Sequence, residues 1–236
     1  MAPQLAPGGS CGICRGWAPA RLCADCLARF AAPRPRCTRC AIDLPGATAL
    51  CGDCLRRPPP FEHAVAAVDY APPWPELVTR FKFHAGLDLA PAFAALITQA
   101  VQRAAPPSPE LLLPAPLAPA RLRERGYNQS WELARRVAAS LGLPAEPTLL
   151  LRVRDTAHQL ELPLAQRAAN VRDAFAVEPR RRAELAGRRV AVLDDVLTTG
   201  ETAAAMARAL LQAGAAQVQV WVLARTPRPD IAEPPA

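Results

Sequence analysis

Lysine is almost missing from this chain: Lys82 stands alone among 236 residues, and the remaining basic charge is arginine. Lys82 is followed by Phe83, so there is no G-K-[ST] phosphate loop. Histidine is nearly as scarce. His63, His84 and His158 are too scattered to form an H-E-x-x-H metalloprotease helix. No G-x-G-x-x-G follows an apolar strand, which removes the dinucleotide fingerprint. Aromatic residues make up only 5% of the chain. No apolar run approaches the ~18 residues needed to cross a bilayer. The opening MAPQLAPGGS lacks a basic start followed by an apolar stretch, so no secretory signal is expected. The expectation is a soluble, cytoplasmic chain without membrane insertion.

What is present is ample apolar material, 51% of residues, in a length that suits one ordinary domain with a small appendage. The formal charge is +7, and residues 1–60, with eight arginines and three aspartates, hold +5 of it. The same segment holds all eight cysteines. Two zinc ions bound by thiolates would lower the total to about +3, leaving a modest basic bias that lends some support to a nucleic-acid partner.

The cysteines form four C-x-x-C turns: Cys11/Cys14, Cys23/Cys26, Cys37/Cys40 and Cys51/Cys54. Each turn aims two sulfurs at one point, and two turns complete a tetrahedral S₄ zinc site. The spacing favours pairing the first two turns in one site and the last two in another, two knuckles joined by a short hairpin in each; a crossed pairing stays open. Disulfides are disfavoured in a reducing cytosol, and redox pairs lack the βαβ setting they need. An iron–sulfur cluster is the rival metal centre. Glycine, common after the second cysteine of a knuckle, is replaced by Arg15, Leu27, Ala41 and Leu55, which counts against a regular knuckle at every turn. Structural zinc would supply folding energy to a segment too small for its own core.

Arg57-Pro58-Pro59-Pro60 reads as a stiff linker. The expected organisation is a module over 1–60, an α/β domain over 61–226 and a disordered tail over 227–236. Strands are expected at 64–70, 111–116, 188–193 and 217–224, with an extended segment near 147–151. Helical patterns run over 75–83, 89–103, 130–141 (capped by Asn128 or Ser130) and 202–213, the last closed by Gly214. Alternation of strands and helices implies a parallel sheet covered on both faces, with ligands beyond the carboxyl ends of its strands. Two loops, 114–125 and 194–202, fall at that edge.

The second of these carries the chemistry. VAVLDDVLTTGET (190–202) delivers two acids from an apolar strand and then opens a helix through a threonine-rich turn. A helix start favours phosphate, Gly200 lets the backbone approach it, and Thr198, Thr199 and Thr202 add hydroxyls. Asp194 and Asp195 would repel phosphate but suit the vicinal hydroxyls of a ribose. Together they describe a phosphorylated ribose site comprising Asp194, Asp195, Val196, Leu197, Thr198, Thr199, Gly200, Glu201 and Thr202. Simple capping by Asp195 and Thr202 is the plainer alternative, and it does not need two acids and three threonines around a glycine.

This segment resembles the ribose-phosphate motif of the type I phosphoribosyltransferases over all thirteen residues. RERGYNQ (123–129), the spaced Arg152, Arg154, Gln159, Leu162, Arg167, Asn170 and Phe175, and the cysteine turns look like the ComF family (competence protein F, amidophosphoribosyltransferase-like). The resemblance runs from Cys11 to about Arg225. It implies a double zinc ribbon joined to a type I phosphoribosyltransferase domain, phosphoribosyl pyrophosphate as ligand, and a cytoplasmic role in natural transformation, helping single-stranded DNA uptake alongside other uptake proteins. In such a domain the loop at 114–117 would hold pyrophosphate, with Arg121, Arg123 and Arg125 nearby. Lys82, Asn128, Arg152, Arg154, Gln159 and Arg167 are further pyrophosphate or hood candidates. If the site is catalytic, Asp194 and Asp195 would steady charge on the ribose and Mg²⁺ would bridge pyrophosphate and ribose oxygens. Tyr127 would either stack on a base or pack on the sheet, and His158 is a candidate for proton transfer. Three functions stay open: a ComF-type DNA-uptake protein, a metabolic phosphoribosyltransferase acting on a nucleobase or amine, and a sensor that binds the sugar phosphate without chemistry.

Overall fold

The computed structural model describes residues 9–46, 48–84, 86–153 and 174–228. The chain opens in a small antiparallel hairpin of β1 (Gly9–Ser10) and β2 (Trp17–Ala18), followed by α1 (Ala24–Phe30). A second turn, closed by an antiparallel bridge from Arg36 to Asp43, leads to α2 (Gly52–Arg56). Then come β3 (His63–Asp69), α3 (Trp74–Phe83), α4 (Ala90–Ala104), β4 (Leu111–Pro114), α5 (Pro119–Arg125) and α6 (Gln129–Leu141). A hairpin of β5 (Leu150–Arg152) and β6 (Phe175–Val177) precedes β7 (Arg189–Leu197), α7 (Glu201–Gln212) and β8 (Gln217–Arg225).

Four strands form one parallel sheet in the order β3-β8-β7-β4. Its strands are nearly unbroken apolar runs because both faces are covered. The two-residue period sorts them: Ala191, Leu193 and Trp221 face α3, α4 and α6, while Val190, Val192 and Val220 face α7 and the β5–β6 hairpin. The sheet ends where β7 and β8 run out together, with Leu197 opposite Arg225.

The expected strands and helices over 61–226 are found with small shifts in their ends, and three differences have clear causes. The segment 114–125, read as a loop, contains α5. Pro119 sits in its first turn and Gly126, at φ 80°, stops it, while none of its residues is buried, so it has no apolar period to read. The strand expected at 188–193 continues through both aspartates to Leu197, because β8 supplies partners that far. The three-residue β6 was not anticipated at all, being too short for a pattern. Of the expected tail, 229–236 lies outside the described residues.

The cysteine-rich segment packs directly on the sheet layers. Leu22 joins the core around α3 and α4, and the indole N–H of Trp74 donates to Phe30 O at 2.9 Å. Further along, Arg36 pairs with Asp69 at 2.7 Å, and Ala64 N–H donates to Thr38 O at 3.0 Å at the start of β3. Trp74→Phe keeps a ring in place and removes the bond to α1. Thermal unfolding is expected to show a loss of about 1 kcal/mol, or roughly 2–4 °C. An unchanged midpoint would mean that this tie does not hold the segment to α3.

Candidate functional site

At the carboxyl edge of the sheet, β7 delivers Asp194 and Asp195 side by side. Asp195 is 4% exposed, and Asp194 is partly buried. Asp194 Oδ1 accepts from Ser130 Oγ at 3.0 Å and from the Asp195 amide at 2.8 Å, and Asp195 Oδ1 accepts from the Val196 amide at 3.0 Å. Lys82 Nζ lies 2.6 Å from Asp195 Oδ2, an oxygen that has no other partner among the described residues. Asp194 Oδ2 accepts no hydrogen bond from the described residues. Burial pushes the Asp194 carboxyl upward from its ordinary value, opposed by the charge of Lys82, the Ser130 hydroxyl and the charge of Arg152. Burial pushes Lys82 downward, opposed by Asp194 and aided by the like charges of Arg125 and Arg121. Two acids and a cation thus share a site short of water, with acceptor capacity left over for hydroxyl groups.

The turn that follows has Gly200 at φ 89°, directly before the first residue of α7. A Cβ there would meet nothing within 4 Å, so the backbone angle, not crowding, calls for glycine. Thr198, Thr199, Glu201 and Thr202 are exposed, whereas Leu197 is buried and Val196 packs against the core. The last two can offer a ligand only main-chain atoms. The first amides of α7 lack intrahelical partners, as at any helix start. The Glu201 amide reaches Thr199 Oγ1 at 3.4 Å. Asp194, Thr198, Gly200 and Thr202 border a small concavity of about 50 Å³.

The other candidates divide. Arg125 lies over the Phe83 ring at 4.7 Å and donates to Gln129 Oε1, close enough to Lys82 to affect its titration, as is Arg121. Asn128 is the cap of α6: its Oδ1 accepts from the Ser130 amide at 2.9 Å and its Nδ2 donates to Ala115 O at 3.0 Å, fixing the loop after β4. Tyr127 packs toward α3, its hydroxyl donating to Phe81 O. The Arg152 guanidinium stands 5.5 Å from the Phe175 ring centre, and its charge acts on Asp194. Arg154, His158, Gln159, Arg167 and Asn170 lie outside the described residues. Ser130, expected only as a cap, is buried and donates to Asp194. A polar residue at the core-facing start of an apolar helix was the available signal.

The eight cysteines gather into Cys11/Cys14/Cys23/Cys26 and Cys37/Cys40/Cys51/Cys54, each quartet with its sulfurs within 4.8 Å of one another. The two turns of a quartet differ, which corrects the expectation of paired knuckles. The first is a knuckle, and Arg15 (φ 65°) and Ala41 (φ 55°) take the left-handed conformation usually left to glycine. The second opens a helix, with Cys23 and Cys51 as the caps of α1 and α2, so Leu27 and Leu55 are never asked for positive φ. Main-chain amides point at the sulfurs: Cys23 N–H donates to Cys11 Sγ at 3.4 Å, and Cys51 N–H to Cys37 Sγ at 3.4 Å. Burial pushes Cys11 up, but the amides of Cys23, Ile13 and Cys14 outweigh it and leave the thiol at about 6. Burial with the neighbouring sulfurs pushes Cys26 up to about 12. Four sulfurs in a closed cluster fit structural zinc, whose charge would displace the remaining thiol protons.

Among known proteins, the phosphoribosyl transferase domain family matches residues 128–233. The DNA utilization protein YhgH of Salmonella typhi is 35% identical over 233 residues, covering 94% of this chain and 100% of that protein. Competence protein F of Haemophilus influenzae is 33% identical over 208 residues, covering 86% of this chain and 90% of that protein. Among solved structures, the glutamine phosphoribosylpyrophosphate amidotransferase from B. subtilis complexed with ADP and GMP is 22% identical, with a TM-score of 0.41. The match covers 60% of this chain and 30% of that one. No helix among the described residues is long and apolar enough to cross a membrane.

Because the folded pKa of Asp194 is raised, its contribution to stability is full only below the unfolded value and is lost as pH climbs through the folded one. Ionising this carboxyl in the folded chain therefore costs stability. Asp194→Asn keeps an oxygen for Ser130 and removes the charge, so the free chain should melt about 2 °C or more higher at pH 7, with the gain shrinking toward pH 4. A lower midpoint at pH 7 would contradict this reading of the site.

Proposed function

The chain belongs to the ComF family, and from that premise we propose that it binds phosphoribosyl pyrophosphate, or a closely similar sugar phosphate, at Asp194–Thr202. The observation that carries this reading is the junction itself, where two adjacent acids lie two residues before the end of a parallel strand and Gly200, three residues beyond Leu197, caps the next helix. The ribose hydroxyls would donate to Asp194 and Asp195. The 5′-phosphate would take the free amides of the α7 start and the hydroxyls of Thr198, Thr199 and Thr202. The pyrophosphate would lie toward the loop after β4, facing Lys82, Arg121 and Arg125, with Arg152 on the other side. Lys82, now paired with Asp195, would be drawn to the incoming anion, freeing that carboxylate for a hydroxyl. Magnesium would be carried in with the pyrophosphate and would offset part of its charge. A module over 1–60 holding up to two zinc ions and a ligand domain over 61–226 describe the division of labour. In a cytoplasmic DNA-handling role, the arginine-rich surface would meet the phosphates of single-stranded DNA, and uptake proteins would be its partners.

Calorimetry with phosphoribosyl pyrophosphate and Mg²⁺ tests the site. Wild type is expected to bind, and Asp194→Ala with Asp195→Ala is expected to lose binding by at least ~100-fold while keeping its metal content. Undiminished affinity in the double variant would remove the assignment. For DNA, gel shifts on single strands should show retention at ~50 mM salt that fades steeply at higher salt. Free migration at the lower salt would defeat that part.

A further inference from the structure

The last residue of β8, Arg225, stands opposite Leu197 and sends its guanidinium across the end of the sheet. Nε donates to Cys40 O at 2.9 Å. Nη1 donates to Leu197 O at 3.0 Å, to Thr226 O at 2.9 Å and to Thr198 O. The backbone around it is tied down as well, with the Thr226 amide on Leu197 O at 3.0 Å and the Tyr70 amide on Arg225 O at 2.7 Å. One planar cation thus collects main-chain carbonyls from the knuckle of the second cysteine quartet and from the turn that leads into α7. Only arginine has a fork of donors suited to this.

The consequence follows from peptide geometry. In a trans peptide the C=O of one residue and the N–H of the next point in opposite directions. Holding the carbonyls of Leu197 and Thr198 on Arg225 therefore turns the amides of Thr198 and Thr199 away from it. Arg225, behind the turn, borders the larger cavity with Thr199 and Glu201, while Asp194, Thr198 and Thr202 edge the small concavity; Leu197 and Gly200 line both. Packing does not fix this turn from behind. The cavity there measures about 700 Å³, between Cys40, Cys54 and Phe61 on one wall and Thr199, Glu201 and Arg225 on the other. On that side the guanidinium spans the gap in place of packed side chains.

At its far end Arg225 holds the carbonyl of Cys40, one residue before Ala41 with its left-handed φ of 55°. That knuckle keeps its shape through its sulfurs, whereas the first quartet sends no such bond to the turn among the described residues. We propose that Arg225 is a positioning residue that sets the peptide orientation of the ribose-phosphate turn and couples it to the Cys37/Cys40/Cys51/Cys54 site. Metal in that quartet and sugar phosphate on the turn then raise each other's affinity, as linkage requires. The ligand half of this inference rests on the sugar-phosphate reading above; the tie between knuckle and turn does not.

The experiment uses the full chain loaded with two equivalents of zinc, with Arg225→Lys as the variant and ribose 5-phosphate as the probe. Zinc release to a chromogenic chelator is followed with and without the probe, and amide hydrogen exchange is read over 198–204, 37–41 and 11–15. In wild type the probe should slow release of one of the two zinc ions about 5-fold or more, and Arg225→Lys should lose that effect and bind the probe about 10-fold less tightly. A general structural lesion would speed release from both sites and would not erase the probe dependence selectively. Equal slowing in variant and wild type would overturn the coupling. Chelation of wild type alone gives the second reading. Exchange over 198–204 should quicken when 37–41 opens and stay unchanged when only 11–15 opens. Unaltered exchange over 198–204 after the second zinc has left would overturn the tie whether or not ribose 5-phosphate binds. Failure of wild type to bind the probe, with that exchange response intact, would count against the sugar-phosphate reading alone.

Discussion

Two carboxylates at the end of one buried strand are an expensive thing to fold, and the ion pair between Lys82 and Asp195 is what makes them tolerable. Like charges on adjacent residues, drawn from water, raise each other's pKa unless a cation or donors intervene. Here the only lysine of the chain reaches across from the end of α3 to Asp195 Oδ2, while Ser130 and main-chain amides serve Asp194 Oδ1 and Asp195 Oδ1. The surrounding architecture can be read as what brings α3, α6 and β7 to one point. α3 and α6 pack on the same face of the sheet, and the Asn128 cap fixes where α6 begins. Stability at pH 7 is given up locally so that acceptors face the edge where a ligand would dock.

The cysteine quartets fit into this arrangement as braces more than as a separate body. The first leans on α3, the element that carries Lys82, through Leu22 and the Trp74 contact with α1. The second leans on β3 and on the end of β8, through Arg36 with Asp69 and Arg225 with Cys40. Each side of the candidate site is therefore backed by one S₄ cluster. A short segment with too little apolar mass for its own core would gain rigidity from a bound metal and share it with the larger sheet.

Much of this was legible from residue order. Apolar runs of strand length and helical periods located the four sheet strands and most helices, because tertiary burial on both faces writes itself into composition. The C-x-x-C spacing gave the quartets, since a turn of that length can hardly aim its sulfurs elsewhere. What could not be read has a physical cause in each case. Exposed α5 buries nothing and shows no pattern. The knuckles accept Arg15 and Ala41 at positive φ, a strain of about 1 kcal/mol each that a metal site can carry. Ser130 and Arg225 act on partners 64 and up to 185 positions away, and their partners are a carboxylate and main-chain carbonyls, which leave no trace in local sequence.

Where a sugar phosphate sits on this edge is read most directly from a crystal structure of the chain grown with ribose 5-phosphate and Mg²⁺. The phosphate is expected at the start of α7, between the amides of Thr198–Thr202, and the ribose hydroxyls within hydrogen-bonding reach of Asp194 and Asp195, with Lys82 drawn off its carboxylate. A sugar phosphate seated elsewhere, with the Lys82–Asp195 pair closed and the turn empty, would contradict this placement.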